Sequence, residues 1–170
     1  AFGTSGQRCT AASRVIVQEG AYEELQKRLV AAAEGLRLGP GWEEGVDVGP
    51  VINERALEKI HSYTEIGKDE GAKLLTGGEV ANGDGLGDGN FYRPTIFGDV
   101  DPGMRVAQEE IFGPTTALIR VRDVDEAIRV SNGIEFGLSS SIFTRDVNTA
   151  FRAMRDLEAG ITYINAGTIG

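Results

Sequence analysis

Apolar residues recur along this chain with two different periods. Tyr22, Leu25, Leu29, Ala32 and Leu36 return at helical spacing, while Glu23 and Glu24 stand four residues before Lys27 and Arg28 on the other side. The spacing predicts an amphipathic helix, stopped by Gly39-Pro40-Gly41. Before it, Val15-Ile16-Val17 is a β-branched run between polar residues and reads as a short buried strand. A second helix is expected from Asn53, its N-cap, through Ala56, Leu57, Ile60 and Thr64 to a stop near Gly71. The Gly-rich segment from Gly77 to Gly89, with Asn82-Gly83-Asp84-Gly85 inside it, has too little apolar surface to pack and reads as an exposed loop.

The second half is more regular. Thr115 to Val121 reads as a strand, and Asp123 with Glu126 as a capping box opening a helix through Ala127, Ile128 and Ser131. Leu138 to Thr144 is the next strand. Asp146 then caps a helix whose Val147, Ala150, Phe151, Met154 and Leu157 share one face, and Gly160 ends it before the strand from Ile161 to Asn165. Strand, helix, strand, helix, strand with short joints means right-handed crossovers. The fold class is therefore α/β, a parallel, Rossmann-like sheet with helices on both faces. Ligands of such sheets gather at the carboxyl ends of the strands, which makes Asn165-Ala166-Gly167-Thr168 a candidate site loop.

Composition narrows the function. The 170 residues make one domain with a sizeable core. A net charge of −9 without a basic cluster disfavours nucleic acid as a partner, and no apolar run reaches the roughly 18 residues of a membrane span. One cysteine cannot close an internal disulfide, which fits a reducing cytoplasm. The first residue is Ala1, already in a small-residue stretch, so the chain reads as a fragment of a longer product.

That one cysteine, Cys9, lies in Gly6-Gln7-Arg8-Cys9-Thr10, which is not core company. The thiolate is the reactive form of cysteine, so a nucleophile needs a cation, a helix terminus or a base nearby, and Arg8 is one cation within reach. Small neighbours would also let a substrate carbon approach the sulfur. His61, the only histidine, is the one available partner for a Cys-His dyad, but it follows Ile60 on a predicted helix and reads as structural. One cysteine and one histidine do not make a metal cage, so no metal is expected. In Gln108-Glu109-Glu110-Ile111-Phe112-Gly113-Pro114 adjacent glutamates point to opposite faces if the segment is extended, so only one can enter a site. A carboxylate can accept both hydroxyls of a ribose and an aromatic ring can pack on a flat one, so Glu110 with Phe112 suits a nucleotide.

Taken together, Phe2 to Arg14, Gln108 to Pro114, Gly137 to Asp146 and Gly160 to Asn165 resemble, in order and spacing, the catalytic domain of NAD(P)-dependent aldehyde dehydrogenases. The resemblance runs from end to end and implies that residues 1–170 are part of that domain, with the coenzyme-binding and oligomerisation regions absent. By resemblance, Cys9 is the catalytic nucleophile that attacks an aldehyde to form a thiohemiacetal and then a thioester. Glu110 and Phe112 are cofactor-binding residues for NAD or NADP, at the nicotinamide ribose and the nicotinamide. Arg8, Thr10, Ala166, Gly167 and Thr168 face the substrate, and Arg14, Gly113 and Asn165 are structural supports. The family's general base and the asparagine of its oxyanion hole precede the residue matching Cys9, so neither Glu109 nor His61 replaces that base.

The expected partner is a small-molecule aldehyde, with no nucleic acid and no membrane, and the parent enzyme is expected to be a homo-oligomer. The stretches around Cys9 and after the last strand look like the α-ketoglutaric semialdehyde dehydrogenase branch. Two other readings stay open at this point. One is a non-catalytic folding or interaction module derived from such an enzyme; the other is a thioester-forming acyl transferase or redox thiol protein.

Overall fold

A computed structural model describes residues 1–168 apart from Asp84 and Asp88. The loop expected from Gly77 to Gly89 therefore lies partly outside the described residues. The elements, in chain order, are β1 (Arg14–Gln18), α1 (Glu19–Glu34), α2 (Glu54–Asp69), β2 (Lys73–Thr76), β3 (Thr95–Gly98), α3 (Arg105–Gln108), β4 (Thr115–Val121), α4 (Val124–Asn132), β5 (Ser139–Ile142), α5 (Val147–Asp156) and β6 (Ile161–Ile164).

Helix starts follow local chemistry. Asn53 Oδ1 accepts from the Ala56 N–H at 2.9 Å, and Asp146 accepts from the Thr149 N–H at 2.9 Å, each satisfying a donor that the first helical turn leaves free. Asp123 likewise caps α4, accepting from the Glu126 N–H at 2.8 Å. The capping box is only half as expected. Glu126 reaches past the cap to the N–H of Arg122 at 2.8 Å, because it also binds the Arg122 guanidinium at 2.9 Å.

The strands form two sheets. One has the order β1-β4-β3-β2, with β4 parallel to β1 and to β3; the other pairs β5 parallel to β6. The four-stranded sheet is mixed, for β2 runs antiparallel to β3, and β5 and β6 pair apart from it as a second sheet. Neither β2 nor β3 carries a distinct sequence signal: each has only four residues, and β3 is buried along its whole length between Pro94 and Gly98.

Alternation along β4 places helices on both faces. Leu118 joins Val17, Tyr22, Ile96 and Ala33 in a core under α1, whereas Ala117 and Ile119 join Ile60, Phe97 and Val106 in a core under α2 and α3. Two cores on one thin sheet hold the carboxyl end of α2, the 109–114 segment and the approach to β1 in fixed register. That is the frame on which the site is built.

Candidate functional site

Cys9 is exposed, in the turn between a tight helical turn at Gly3–Gly6 and β1. Two anchors hold this loop. Ser5 Oγ donates to the Gly49 carbonyl at 2.8 Å, and Gly6 lies so close to Gly113 that a Cβ built on it would stand 1.9 Å from the Gly113 oxygen. Gly6 has φ +64°, the left-handed region that glycine enters without cost. Gln7 then bridges three segments. Its Nε2 donates to the Phe112 carbonyl at 3.3 Å, and its Oε1 accepts from the Ile52 N–H at 2.9 Å. Nothing in the sequence marks Gln7 for this bridging role, because a neutral amide that can both donate and accept needs the fold to set what it joins.

A cavity of about 830 Å³ opens beside the thiol. Its lining includes Arg8, Thr10, Glu110, Phe112 and Thr168 beside Cys9, residues drawn from nearly the whole length of the chain. The remainder runs between the open edges of β1 and β5, above Ala127 and Ile128 of α4. Gly167 also lines it, whereas Ala166 is not among the lining residues and instead accepts a hydrogen bond from Ser141 Oγ. Thr168 Oγ1 donates to the Thr10 carbonyl at 2.6 Å, tying the loop after β6 to the loop that carries Cys9.

Phe112 is a bulky residue at φ +60°, a conformation rarely adopted without support. The support is local. Its carbonyl is held by Gln7, and the following Gly113 packs where a Cβ would come within 2.4 Å of Ile60 Cδ1. The turn leaves the ring 39% exposed, at the cavity. Glu110 is exposed at the same wall, its carbonyl accepting from Lys59 Nζ at 2.7 Å. Glu109 also lines the cavity, but its carboxylate is held by other side chains. Arg105 Nε and Nη2 bind its two oxygens at 2.7 and 3.0 Å, and the Tyr63 hydroxyl donates to it as well. These hydrogen bonds, Arg105 first and Tyr63 second, hold the Glu109 carboxyl down at about 2.

The expected supports are found in such roles. Arg14 donates to the carbonyls of Val130 and Ser131, both at 2.9 Å, closing the end of α4 against β1. Asn165, at φ +53°, pairs with the N–H and carbonyl of Thr144 at 2.8 and 2.9 Å. His61 makes no approach to the cavity wall; its Nδ1 lies 3.1 Å from the Tyr92 hydroxyl, which also meets Thr64. Among the described residues no cluster of three His, Cys, Asp or Glu side chains could hold a metal ion, and no helix is long and apolar enough to cross a membrane.

The α/β frame thus brings an exposed thiol, a carboxylate and an aromatic ring to one cavity. The chain belongs to the aldehyde dehydrogenase family, which it matches over residues 1–170. It is 46% identical over 169 residues to the alpha-ketoglutarate semialdehyde dehydrogenase of Haloferax volcanii, covering 99% of this chain and 35% of that protein. To the alpha-ketoglutaric semialdehyde dehydrogenase of Bacillus subtilis it is 42% identical over 170 residues, again 35% of the relative. Among solved structures, HpcC from Thermus thermophilus superposes with a TM-score of 0.96 at 40% identity, over 99% of this chain and 33% of that one. The 1-pyrroline-5-carboxylate dehydrogenase from Thermus with bound NAD superposes with a TM-score of 0.91 at 41% identity, over 99% of this chain and 31% of that one. The chain thus spans about a third of the length of the relatives it matches.

Proposed function

We propose that these residues form part of the catalytic domain of an enzyme that oxidises an aldehyde to a carboxylic acid, with Cys9 as nucleophile. The observation that carries the reading is the convergence of exposed Cys9 with Glu110 and Phe112, about a hundred residues away in sequence, on one cavity. The Cys9 sulfur adds to the aldehyde carbon, the carbonyl oxygen becomes an oxyanion, and the Cys9 backbone N–H supplies one donor to it. Loss of hydride from that thiohemiacetal leaves a thioester on Cys9, and water releases the acid and restores the thiol.

NAD or NADP, when bound, supplies the hydride acceptor. The donor set on this chain suits it: the free Glu110 carboxylate can accept both ribose hydroxyls, and the exposed face of Phe112 can pack on a flat ring. Arg8, beside the nucleophile on the cavity wall, makes no ion pair among the described residues. A carboxylate at the far end of the aldehyde would complement it, and the names of the two most similar relatives given above specify such substrates. The substrate class is therefore a carboxylate-bearing aldehyde, with Thr10, Gly167 and Thr168 lining its path.

The 170 residues by themselves would lack most of the cofactor's binding surface and the base that activates water. The test is aldehyde-dependent NAD(P)H formation. The polypeptide as its gene encodes it is expected to turn over and its Cys9→Ser variant to lose turnover, while the isolated 170 residues take an alkylating label on Cys9 without oxidising aldehyde. Turnover by the Cys9→Ser variant would overturn the assignment of the nucleophile, and turnover by the isolated chain would overturn the assignment of a partial domain.

A further inference from the structure

We propose that Glu109 is a positioning residue: gripped by Arg105 and Tyr63, it fixes which way the 109–112 segment faces and so aims Glu110 at the cofactor's ribose. The proposal rests on the reading of Glu110 as the ribose acceptor. Glu109 leaves α3 in an extended conformation, φ −111° and ψ 148°, the backbone in which successive side chains part; both glutamates touch the cavity, and only the Glu109 carboxylate is taken up by neighbours. Two neighbouring carboxylates of equal chemistry are thereby offered to one site, and a half-turn of the segment would exchange them.

The contacts that forbid the exchange come from two helices. Arg105, one turn earlier, binds both oxygens of Glu109 in a fork, and the Tyr63 hydroxyl from α2 donates to the second oxygen. Four residues before Tyr63 on the same helix face, Lys59 Nζ holds the Glu110 carbonyl at 2.7 Å. The guanidinium of Arg105 lies 5.5 Å and Lys59 Nζ 5.9 Å from the centre of the Tyr63 ring, so the three holding side chains form one cluster. The depressed pKa of Glu109 keeps it ionised throughout the range in which an enzyme works, so the grip does not slacken with pH. Glu110 makes no side-chain hydrogen bond among the described residues and remains open to a ligand.

The experiment is steady-state kinetics, with NAD and then aldehyde varied, on the polypeptide as its gene encodes it and on the variants Glu109→Gln, Glu110→Gln, the double variant and Arg105→Lys. Glu109→Gln is expected to raise the KM for NAD about tenfold while the KM for aldehyde stays put. Arg105→Lys, which keeps the charge and loses the fork, should fall between it and wild type. Because Glu109 acts through Glu110, the double variant should have the NAD KM of Glu110→Gln alone. A variant that merely folds less well lowers kcat and leaves both KM values where they were, and that result for Glu109→Gln would overturn the proposal. Multiplied effects in the double variant would overturn it too. If Glu110→Gln leaves the NAD KM unchanged, the reading of Glu110 fails instead, and the positioning role falls with it.

Discussion

Gly6 offers the sharpest check on how the nucleophile loop is held. A methyl group at this position would meet backbone alone: the Gly113 oxygen at 1.9 Å, its carbon at 2.4 Å and the Pro114 nitrogen at 2.8 Å. That is roughly 1.5 Å short of ordinary contact, and no side chain can rotate aside to make room. Gly6→Ala must therefore strain the left-handed φ, at about 1–2 kcal/mol, and part the loop from Gly113. Parting them stretches the Gln7 to Phe112 hydrogen bond, whose loss adds about 1 kcal/mol, with lost packing on top. The expected total is about 3 kcal/mol.

Two other glycines separate the contributions. Gly71 has φ +95° but open space around it, so Gly71→Ala should cost only the backbone strain, about 1 kcal/mol. Gly20 lies in the first turn of α1 with open space and no unusual φ, and Gly20→Ala should stabilise by about 0.5 kcal/mol. Urea unfolding followed by circular dichroism measures all three. A cost for Gly6→Ala within about 0.5 kcal/mol of that for Gly71→Ala would mean that Gly113 gives way freely, and the argument for a loop locked against the 112–114 turn would fail.

Other perturbations test separate parts of the structure. Tyr22→Phe keeps the ring under the Arg120 guanidinium, 3.8 Å from the ring centre, but leaves the Asp99 N–H without the acceptor it has at 2.9 Å; urea unfolding should show a loss of about 1–2 kcal/mol. Arg8→Gln should raise the KM for a carboxylate-bearing aldehyde about tenfold and spare a neutral aldehyde of the same length; equal effects on both would remove Arg8 from substrate recognition. The Asp146 carboxyl is drawn below its usual range by the Thr149 hydroxyl and then by the Thr149 N–H. A depressed folded-state value means its stabilisation is present above about pH 4 and lost as pH falls through the folded value. Protection of the amides at the start of α5, taken relative to the intrinsic exchange rate at each pH, should thus fall in acid, and Asp146→Asn, which caps without ionising, should abolish that pH dependence.

Most helices were legible because what defines them is local. The apolar spacing of Tyr22, Leu25 and Leu29 and the caps at Asn53, Asp123 and Asp146 all act within a few residues of themselves. The expected stops lay too far on: α1 ends at Glu34, before Gly39-Pro40-Gly41, and α5 at Asp156, where Leu157 is already extended, before Gly160. β1, β4, β5 and β6 were legible as runs: β4 with the bounds observed, β1 one residue short at each end, and β5 and β6 one or two residues too long at their ends. β2 and β3 were not. Four residues give no period to read, and Thr95–Gly98 is a strand because β4 on one side and β2 on the other supply its hydrogen bonds. For the same reason pairing partners stayed hidden, and the antiparallel β2 and the separate β5–β6 sheet came from the structure alone.

The sequence by itself determined the α/β class, the lone thiol in its small-residue setting, and two adjacent glutamates beside an aromatic ring. Tertiary structure alone decided which carboxylate is taken up by neighbours and which is left open. Arg105 is within reading distance of Glu109 at helical spacing, but Tyr63, 46 residues away, and Lys59 complete the grip only after α2 packs beside α3. It also decided that Cys9 and Phe112 share a wall, through Gln7 and through a glycine contact that leaves no room for a methyl group. Period and capping are energies of near neighbours and are written in order along the chain. A site is an energy of distant segments, and exists only where two cores on one sheet bring those segments into register.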